Sequence, residues 1–161
     1  MSLSLRAPVE ADADALIAVV DACDATYVAF APAGWEPPAA GAARWVTDLW
    51  RGPDWSRVAV VEPAGAVVGF ASWGPAAERP DTAHLSALFV TPSHWRRGIG
   101  ARLLAASVEA MRGAGFARAQ LTTLEGAPAE AFYRAQGWAR DGRDMFHALI
   151  GLPAVGYALT L

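Results

Sequence analysis

The 161-residue chain contains no lysine, and all 13 of its basic residues are arginines. A lysine-dependent mechanism is therefore excluded, as is a Walker A phosphate loop, which ends in Gly-Lys. Only 18% of the residues are charged and the net charge is −3, whereas nucleic-acid-binding proteins usually carry a strong basic excess. Apolar residues make up 54% of the chain, which favours a folded domain with a buried core over disorder.

Cysteine is almost absent as well. Cys23 is the only one, so we expect no internal disulfide and no cysteine-based zinc site. Its spacing from neighbouring apolar residues suits the buried face of a helix, which favours a small core residue over a reactive thiol. The first residues do not resemble a signal peptide, and there is no apolar run of the roughly 20 residues needed to span a bilayer. We therefore expect a cytoplasmic protein.

Hydrophobic periodicity and turn residues predict a mixed α/β fold that forms one domain over residues 1–161. Strands are expected at residues 3–6, 57–62, 66–73, 83–90, 118–124, from 138 onward and at 155–161. Helices are expected at about residues 12–29, 39–50, 98–113 and 128–136, with Gly52-Pro53 ending the second. The order β-α-α-β-β-β-α-β-α-β-β indicates a mostly antiparallel central sheet with flanking helices.

The segment Trp95-Arg96-Arg97-Gly98-Ile99-Gly100-Ala101 lies between a predicted strand and a predicted helix. Glycines let a backbone approach a ligand closely, and the first turn of a helix presents unpaired N–H groups with partial positive charge. The combination predicts a site for a phosphate-bearing cofactor. A dinucleotide fingerprint is excluded, because Leu103 stands where its third glycine belongs and antiparallel hairpins come first.

A second block, residues 129–138, reads Ala-Glu-Ala-Phe-Tyr-Arg-Ala-Gln-Gly-Trp, and the strand before the phosphate loop ends Leu88-Phe89-Val90-Thr91-Pro92. Together these segments resemble the GNAT superfamily of acetyl-CoA-dependent N-acetyltransferases. Its patterns are Leu-x-Val-x-Pro, Gln/Arg-x-x-Gly-x-Gly/Ala and Ala-x-x-Phe-Tyr-x-x-x-Gly-Phe/Trp. The resemblance covers about a third of the chain. The chain departs from the family at Trp95, where Gln or Arg is common, and at Gly126, where asparagine is common.

The resemblance implies acetyl-CoA as co-substrate and no metal. In the family the two central strands splay apart, so that the strand end pairs with the pantetheine arm while the loop N–H groups hold the pyrophosphate. The Leu88 N–H would stabilise the oxyanion. Arg96, Arg97 and Arg102 either pair with the 3′-phosphate or are solvated. The implied cofactor-binding residues are Leu88, Phe89, Val90, Arg96, Arg97, Gly98, Ile99, Gly100 and Ala101.

Two residues are candidate catalytic groups. Tyr133 occupies the position of the family's usual general acid, which protonates the departing thiolate. His84 is the candidate base, because its ordinary pKa suits that role at neutral pH. Strand alternation would place His84 beside the thioester, on one face with Ser86, Leu88 and Val90. The other candidate proton acceptors are water, Glu78 and Asp81.

The acceptor implied by the resemblance is a small-molecule or peptide primary amine, attacked directly in a ternary complex, with no nucleic acid and no membrane involved. Tyr27, Phe30 and Trp35 would favour an apolar or aromatic amine if they line the acceptor pocket rather than the core. The sequence does not decide the oligomeric state, and a homodimer is one possibility. Two alternatives also remain: a non-catalytic acyl-CoA sensor or scaffold, which Gly126 favours and Tyr133 opposes, and an acyltransferase for longer chains. The aromatic residues of the first half are Tyr27, Phe30, Trp35, Trp45, Trp50, Trp55 and Trp73.

Overall fold

A computed structural model describes residues 2–51 and 56–161, which form seven strands and four α-helices in the expected order. The mixed α/β prediction is confirmed; Gly52-Pro53 and Trp55 lie outside the described residues. The strands are β1 (Ser4–Arg6), β2 (Ser56–Val61), β3 (Val67–Ala76), β4 (Arg79–Val90), β5 (Arg118–Leu124), β6 (Ala139–His147) and β7 (Leu152–Thr160). The helices are α1 (Ala13–Asp24), α2 (Gly41–Arg51), α3 (Ile99–Gly113) and α4 (Pro128–Ala135).

The expected and observed bounds differ most for two elements. The first helix was expected to reach residue 29, but α1 ends at Asp24 and continues as a 3-10 helix over Ala25–Ala29, a common tightening of a helix end. β4 begins four residues earlier than expected, because β3 and β4 form one long hairpin that pairs Ala76 with Arg79. The prolines at positions 75 and 80 obscured this pairing in the sequence, since proline usually interrupts strands, and both are exposed here.

The sheet has the strand order β1-β2-β3-β4-β5-β7-β6, and β4 with β5 is its parallel pair. β4 pairs with β5 only over residues 82–85, whereas it pairs with β3 as far as Val90. β5 likewise pairs with β7 as far as Leu124. The two central strands therefore separate at their C-terminal ends and leave a wedge between them.

Two apolar layers cover the two faces of the sheet. Adjacent residues of β2 alternate between them, since Val60 belongs to the cluster under α3 and Ala59 to the cluster under α1 and α2. Each large side chain buried here contributes about 1.5–3 kcal/mol to folding. The helices supply these layers at helical spacing: Ile99, Leu103, Leu104, Val108 and Met111 from α3, and Leu16, Val19, Val20 and Cys23 from α1.

Candidate active site

The wedge between β4 and β5 opens into a cavity of about 980 Å³. Its lining comes from six segments of the chain. They are the end of α1 with the 3-10 helix after it, α2, the end of β4, the loop into α3, the segment from β5 to α4, and residues 147–150. His84, Trp35 and Arg97 are not among the lining residues. The other candidate site residues line it: Tyr27, Phe30, Leu88, Phe89, Val90, Arg96, Gly98, Ile99, Gly100, Ala101 and Tyr133.

The loop into α3 presents a row of unpaired backbone donors. Gly98, the residue before α3, has φ +75° and Arg96 has φ +60°, a left-handed conformation that turns the chain sharply. The Arg102 N–H bonds the Gly98 carbonyl at 3.0 Å. Within the described chain, none of the N–H groups of residues 96–101 donates to another backbone carbonyl. This row, at the positive end of a 15-residue helix, is suited to an anion.

The two blocks that carry the family resemblance touch each other at Gly100. A Cβ added there would lie 3.5 Å from the ring of Phe132 and 4.0 Å from Val90, so the glycine lets α3 approach both α4 and the end of β4. Trp95 joins the same region, because its indole Nε1 donates to the Val90 carbonyl at 2.6 Å. No motif or spacing predicted this contact.

Tyr133 lies on α4 with its ring buried and packed against other aromatic residues. Its ring centroid is 5.2 Å from that of Phe132, 6.1 Å from Trp138 and 6.2 Å from Tyr157. Burial raises the pKa of the Tyr133 hydroxyl above its ordinary value, so the group stays protonated at neutral pH. No protein group in residues 2–51 or 56–161 forms a hydrogen bond with it, which leaves the proton available to a ligand.

A buried carboxylate holds α4 in place. Glu130 accepts hydrogen bonds from the Tyr157 hydroxyl, the Gly126 N–H and the Arg140 guanidinium, each at 2.7 Å. Burial opposes ionisation of Glu130, but these hydrogen bonds outweigh it and lower the pKa of the carboxyl. Gly126 has φ +78°, so this turn favours glycine over asparagine, the residue common in the family. The network fixes the helix that carries Tyr133.

His84 does not share a face with Leu88 and Val90, so that prediction is wrong. β3 pairs Ser72 with Ala87 and Trp73 with Leu85, which leaves Ser86 as an extra residue in β4. Such a bulge reverses the alternation of side chains beyond it. His84 Nδ1 instead lies 3.5 Å from Gln120 Nε2, and burial, with a smaller contribution from Arg143, lowers its pKa.

Asp24, at the end of α1, is a site residue that sequence reasoning missed. Its side chain is buried, with 5% exposed, and it lines the cavity beside Tyr27. It has no hydrogen-bond or ion-pair partner within the described residues. Burial, and to a lesser extent Asp21, raises its pKa from 3.8 to about 6. The available signal was its position four residues after Val20, where a carboxylate interrupts the apolar stripe of the helix.

The aromatic residues after α1 divide between the cavity and its support. Tyr27 and Phe30 line the cavity, with ring centroids 5.7 Å apart. Trp35 packs against Tyr27 outside the cavity lining, with ring centroids 6.4 Å apart. The Trp35 Nε1 donates to the Ile150 carbonyl at 2.9 Å. Trp35 therefore ties this wall to the segment before β7.

Two further titratable side chains of the lining already form hydrogen bonds with the protein backbone. The Cys23 thiol donates to the Val90 carbonyl at 3.2 Å, and burial, reinforced by Asp24, raises its pKa to about 12. This agrees with a core residue rather than a reactive thiol. His147 Nδ1 accepts the Ile150 N–H at 3.1 Å, so in the neutral ring the proton resides on Nε2.

The acetyltransferase (GNAT) family model matches residues 20–138, and the chain belongs to this family of acyltransferases. No curated protein sequence matches the chain significantly. Among the described residues there is no helix long and apolar enough to span a membrane, and no group of three or more metal-ligand side chains.

Solved structures of GNAT enzymes share the fold. An acetyltransferase assigned to the family from Desulfovibrio desulfuricans is 22% identical, with a TM-score of 0.76 and coverage of 99% of each chain. The PaiA N-acetyltransferase of Thermoplasma acidophilum, solved with coenzyme A, is 17% identical, with a TM-score of 0.76 and full coverage of both chains. The ribosomal-protein-alanine N-acetyltransferase of Brucella melitensis is 24% identical, with a TM-score of 0.70, covering 98% of this chain and 99% of that one.

Proposed function

We propose that this protein transfers an acetyl group from acetyl-CoA to a primary amine by direct attack of the amine in a ternary complex. The observation that carries the proposal is the row of unpaired N–H groups at residues 96–101, beside the opened edge of β4 and in one cavity with Tyr133. The row suits a pyrophosphate, and a wedge between strands suits an extended chain that pairs like a further strand. The structure solved with coenzyme A supports the same donor.

The chain's backbone would do most of the donor binding. The N–H groups of residues 96–101 hold the pyrophosphate through charge-assisted hydrogen bonds, with Arg96 as a cation at the same loop. Residues 88–90 pair with the pantetheine amides. Bound acetyl-CoA supplies an activated thioester, and the Leu88 N–H stabilises negative charge on its oxygen during attack.

Tyr133 would protonate the departing thiolate, since the residue lines the cavity and its hydroxyl stays protonated. Cys23 does not serve as a nucleophile, because its thiol donates to Val90 and its pKa is about 12. His84, the base expected from the sequence, lies outside the lining, with its Nδ1 3.5 Å from Gln120 Nε2, so it would reach the amine only through a chain of waters. Loss of the acidic limb of the pH–rate profile in His84→Ala supports that role, and its retention excludes it.

The test is acetyl-CoA turnover against a panel of primary amines, with thiol release measured and products identified by mass. We expect amide and free thiol in equal amounts with at least one amine. Tight binding of coenzyme A with no amide from any amine would overturn the proposal in favour of a sensor. If a longer acyl-CoA is turned over faster than acetyl-CoA with the same amine, the proposed donor becomes that acyl-CoA.

A further inference from the structure

We propose that Asp24 is the acceptor-binding carboxylate of this enzyme: it pairs with the ammonium form of a primary amine that has an apolar body, and accepts the proton the amine must lose. This inference rests on the proposed acetyl transfer. It adds a substrate class and a catalytic residue that neither the motifs nor the family assignment supplies.

The first support is that Asp24 is the only acidic residue in the described lining of the cavity. Asp24 is only 5% exposed, lines the cavity, and its carboxylate has no partner among the described residues. A charged group with so little access to water is costly and is rarely kept without a ligand to satisfy it. The C-terminal end of α1 adds partial negative charge at the same place. A bound cation would compensate both the charge of the Asp24 carboxylate and the partial negative charge at the end of α1.

The second support is the position of Asp24 relative to Tyr133. Desolvation raises the pKa of the Tyr27 hydroxyl, and Asp24, Cys23 and Tyr133 each raise it further through their charges. All four residues line the cavity, and Tyr27 is a neighbour that Asp24 and Tyr133 have in common. An ammonium held by Asp24 would therefore lie in the same cavity as the hydroxyl that would protonate the leaving thiolate.

The third support is the apolar wall around the carboxylate. Tyr27, Phe30 and Ile150 line the cavity and belong to one packed cluster with Leu124 and Ala127. Aromatic faces also favour a neighbouring ammonium. A hydrophilic polyamine would leave this wall uncovered, so the expected acceptor is a monoamine with an aryl or alkyl body.

The proton balance of the step is simple. Asp24 takes one proton from the ammonium, and the nitrogen lone pair forms the C–N bond at the thioester carbon. As the C–S bond breaks, Tyr133 gives its proton to the thiolate and regains one from the new amide nitrogen. Asp24 then releases its proton to water, so the net products are amide, free thiol and one proton.

Other titratable groups in this part of the cavity are less suited to the role. Cys23 and His147 are held by hydrogen bonds to the backbone, and the pKa values of Tyr27 and Tyr133 are raised. Asp21 is exposed on the outer side of α1. The pKa of Asp24, about 6, leaves it ionised at neutral pH and still basic enough to accept a proton.

The test compares benzylamine, a cation at neutral pH, with aniline, which is neutral. Asp24→Asn is expected to lower kcat/KM for benzylamine by about 100-fold and for aniline by less than about threefold. Asp24→Glu should recover part of the loss, and Asp48→Asn, which changes an exposed aspartate on α2, should behave as wild type. In wild type, kcat/KM for benzylamine should rise through about pH 6, and Asp24→Asn should lose that limb.

Equal losses with both amines, or no loss with either, would overturn the role of Asp24. Binding of benzylammonium to the coenzyme A complex, measured by calorimetry, separates this inference from acetyl transfer itself. Loss of affinity by about tenfold in Asp24→Asn, in an enzyme that forms no amide, would sustain the cation site and refute the transfer. Failure of wild type to bind benzylammonium would overturn the cation site.

Discussion

The two parts of the cavity are built in different ways. The proposed cofactor part, residues 88–101 with Phe132, presents backbone N–H groups fixed by a left-handed turn and a helix start. The acceptor part, Asp24, Tyr27, Phe30 and Ile150, presents side chains brought together from opposite ends of the chain. A backbone surface tolerates many sequences as long as glycine stands at the turn, whereas a side-chain surface changes with every substitution. The donor is therefore expected to be common to the fold, and the acceptor particular to this chain.

The largest expected effect lies at Tyr133, where the two parts meet. Tyr133→Phe removes the acid and should lower kcat by about 100-fold or more. The dissociation constant of acetyl-CoA should stay within about twofold, because the ring and its packing remain. Steady-state kinetics and calorimetry measure the two quantities. Unchanged kcat, or an affinity loss as large as the kcat loss, would remove Tyr133 as the acid.

The next effect is on stability at the acceptor part. The folded pKa of Asp24 is raised from 3.8 to about 6, so its ionisation opposes folding. This cost is absent below about pH 3.8, grows as the pH rises towards about 6 and is complete above it. At about 1.4 kcal/mol per pKa unit, the full cost is about 3 kcal/mol. When the pH is raised from about 4 to about 7.5, wild type should therefore lose stability relative to Asp24→Asn. The difference between their free energies of unfolding should grow in favour of the variant.

Urea unfolding at the two pH values measures this difference, with Asp48→Asn, at an exposed position on α2, as the control that follows wild type. The same pH dependence in Asp24→Asn and wild type would show that the carboxylate is not strained by burial.

A smaller effect is expected in the cofactor part, and the chain offers a matched control for it. Gly98 and Gly142 both have positive φ, +75° and +84°, with open space where a Cβ would lie. Alanine at either position should cost about 1–2 kcal/mol of stability. Only Gly98→Ala should also weaken coenzyme A binding, by about tenfold, because it turns the N–H row away from the phosphates. Equal affinity in the two variants would contradict a backbone cradle.

The smallest effect concerns the support of the acceptor wall. Trp35→Phe loses the hydrogen bond to the Ile150 carbonyl, a net contribution of about 1 kcal/mol. The KM for an arylalkyl amine should rise by about fivefold while the KM for acetyl-CoA is unchanged. Trp73→Phe is the control, since Trp73 packs against Phe116 in the core under α3 and is outside the lining. A rise in both KM values would show a general loosening instead.

The same contrast explains what the sequence could predict. The N–H row and Tyr133 were predictable, because each depends on a few residues close together in the chain. The bulge at Ser86 was not, since it is defined by pairing with β3, and it removed His84 from the face of Leu88. Trp35 was expected at the acceptor surface because relatives use this region for the acceptor, and its contact with Ile150 spans 115 residues. Asp24 carried a local signal, a carboxylate on an apolar stripe, but its cavity is formed by segments far along the chain.

The most direct test of the division between donor and acceptor parts is a pair of dissociation constants for wild type, Gly98→Ala and Asp24→Asn. Calorimetry would give the constant for coenzyme A and, with coenzyme A saturating, the constant for benzylammonium. We predict that Gly98→Ala weakens only coenzyme A and that Asp24→Asn weakens only the ammonium, each by about tenfold. Both variants weakening both ligands by the same factor, or neither ligand being affected, would contradict the separation of a backbone-built donor part from a side-chain-built acceptor part.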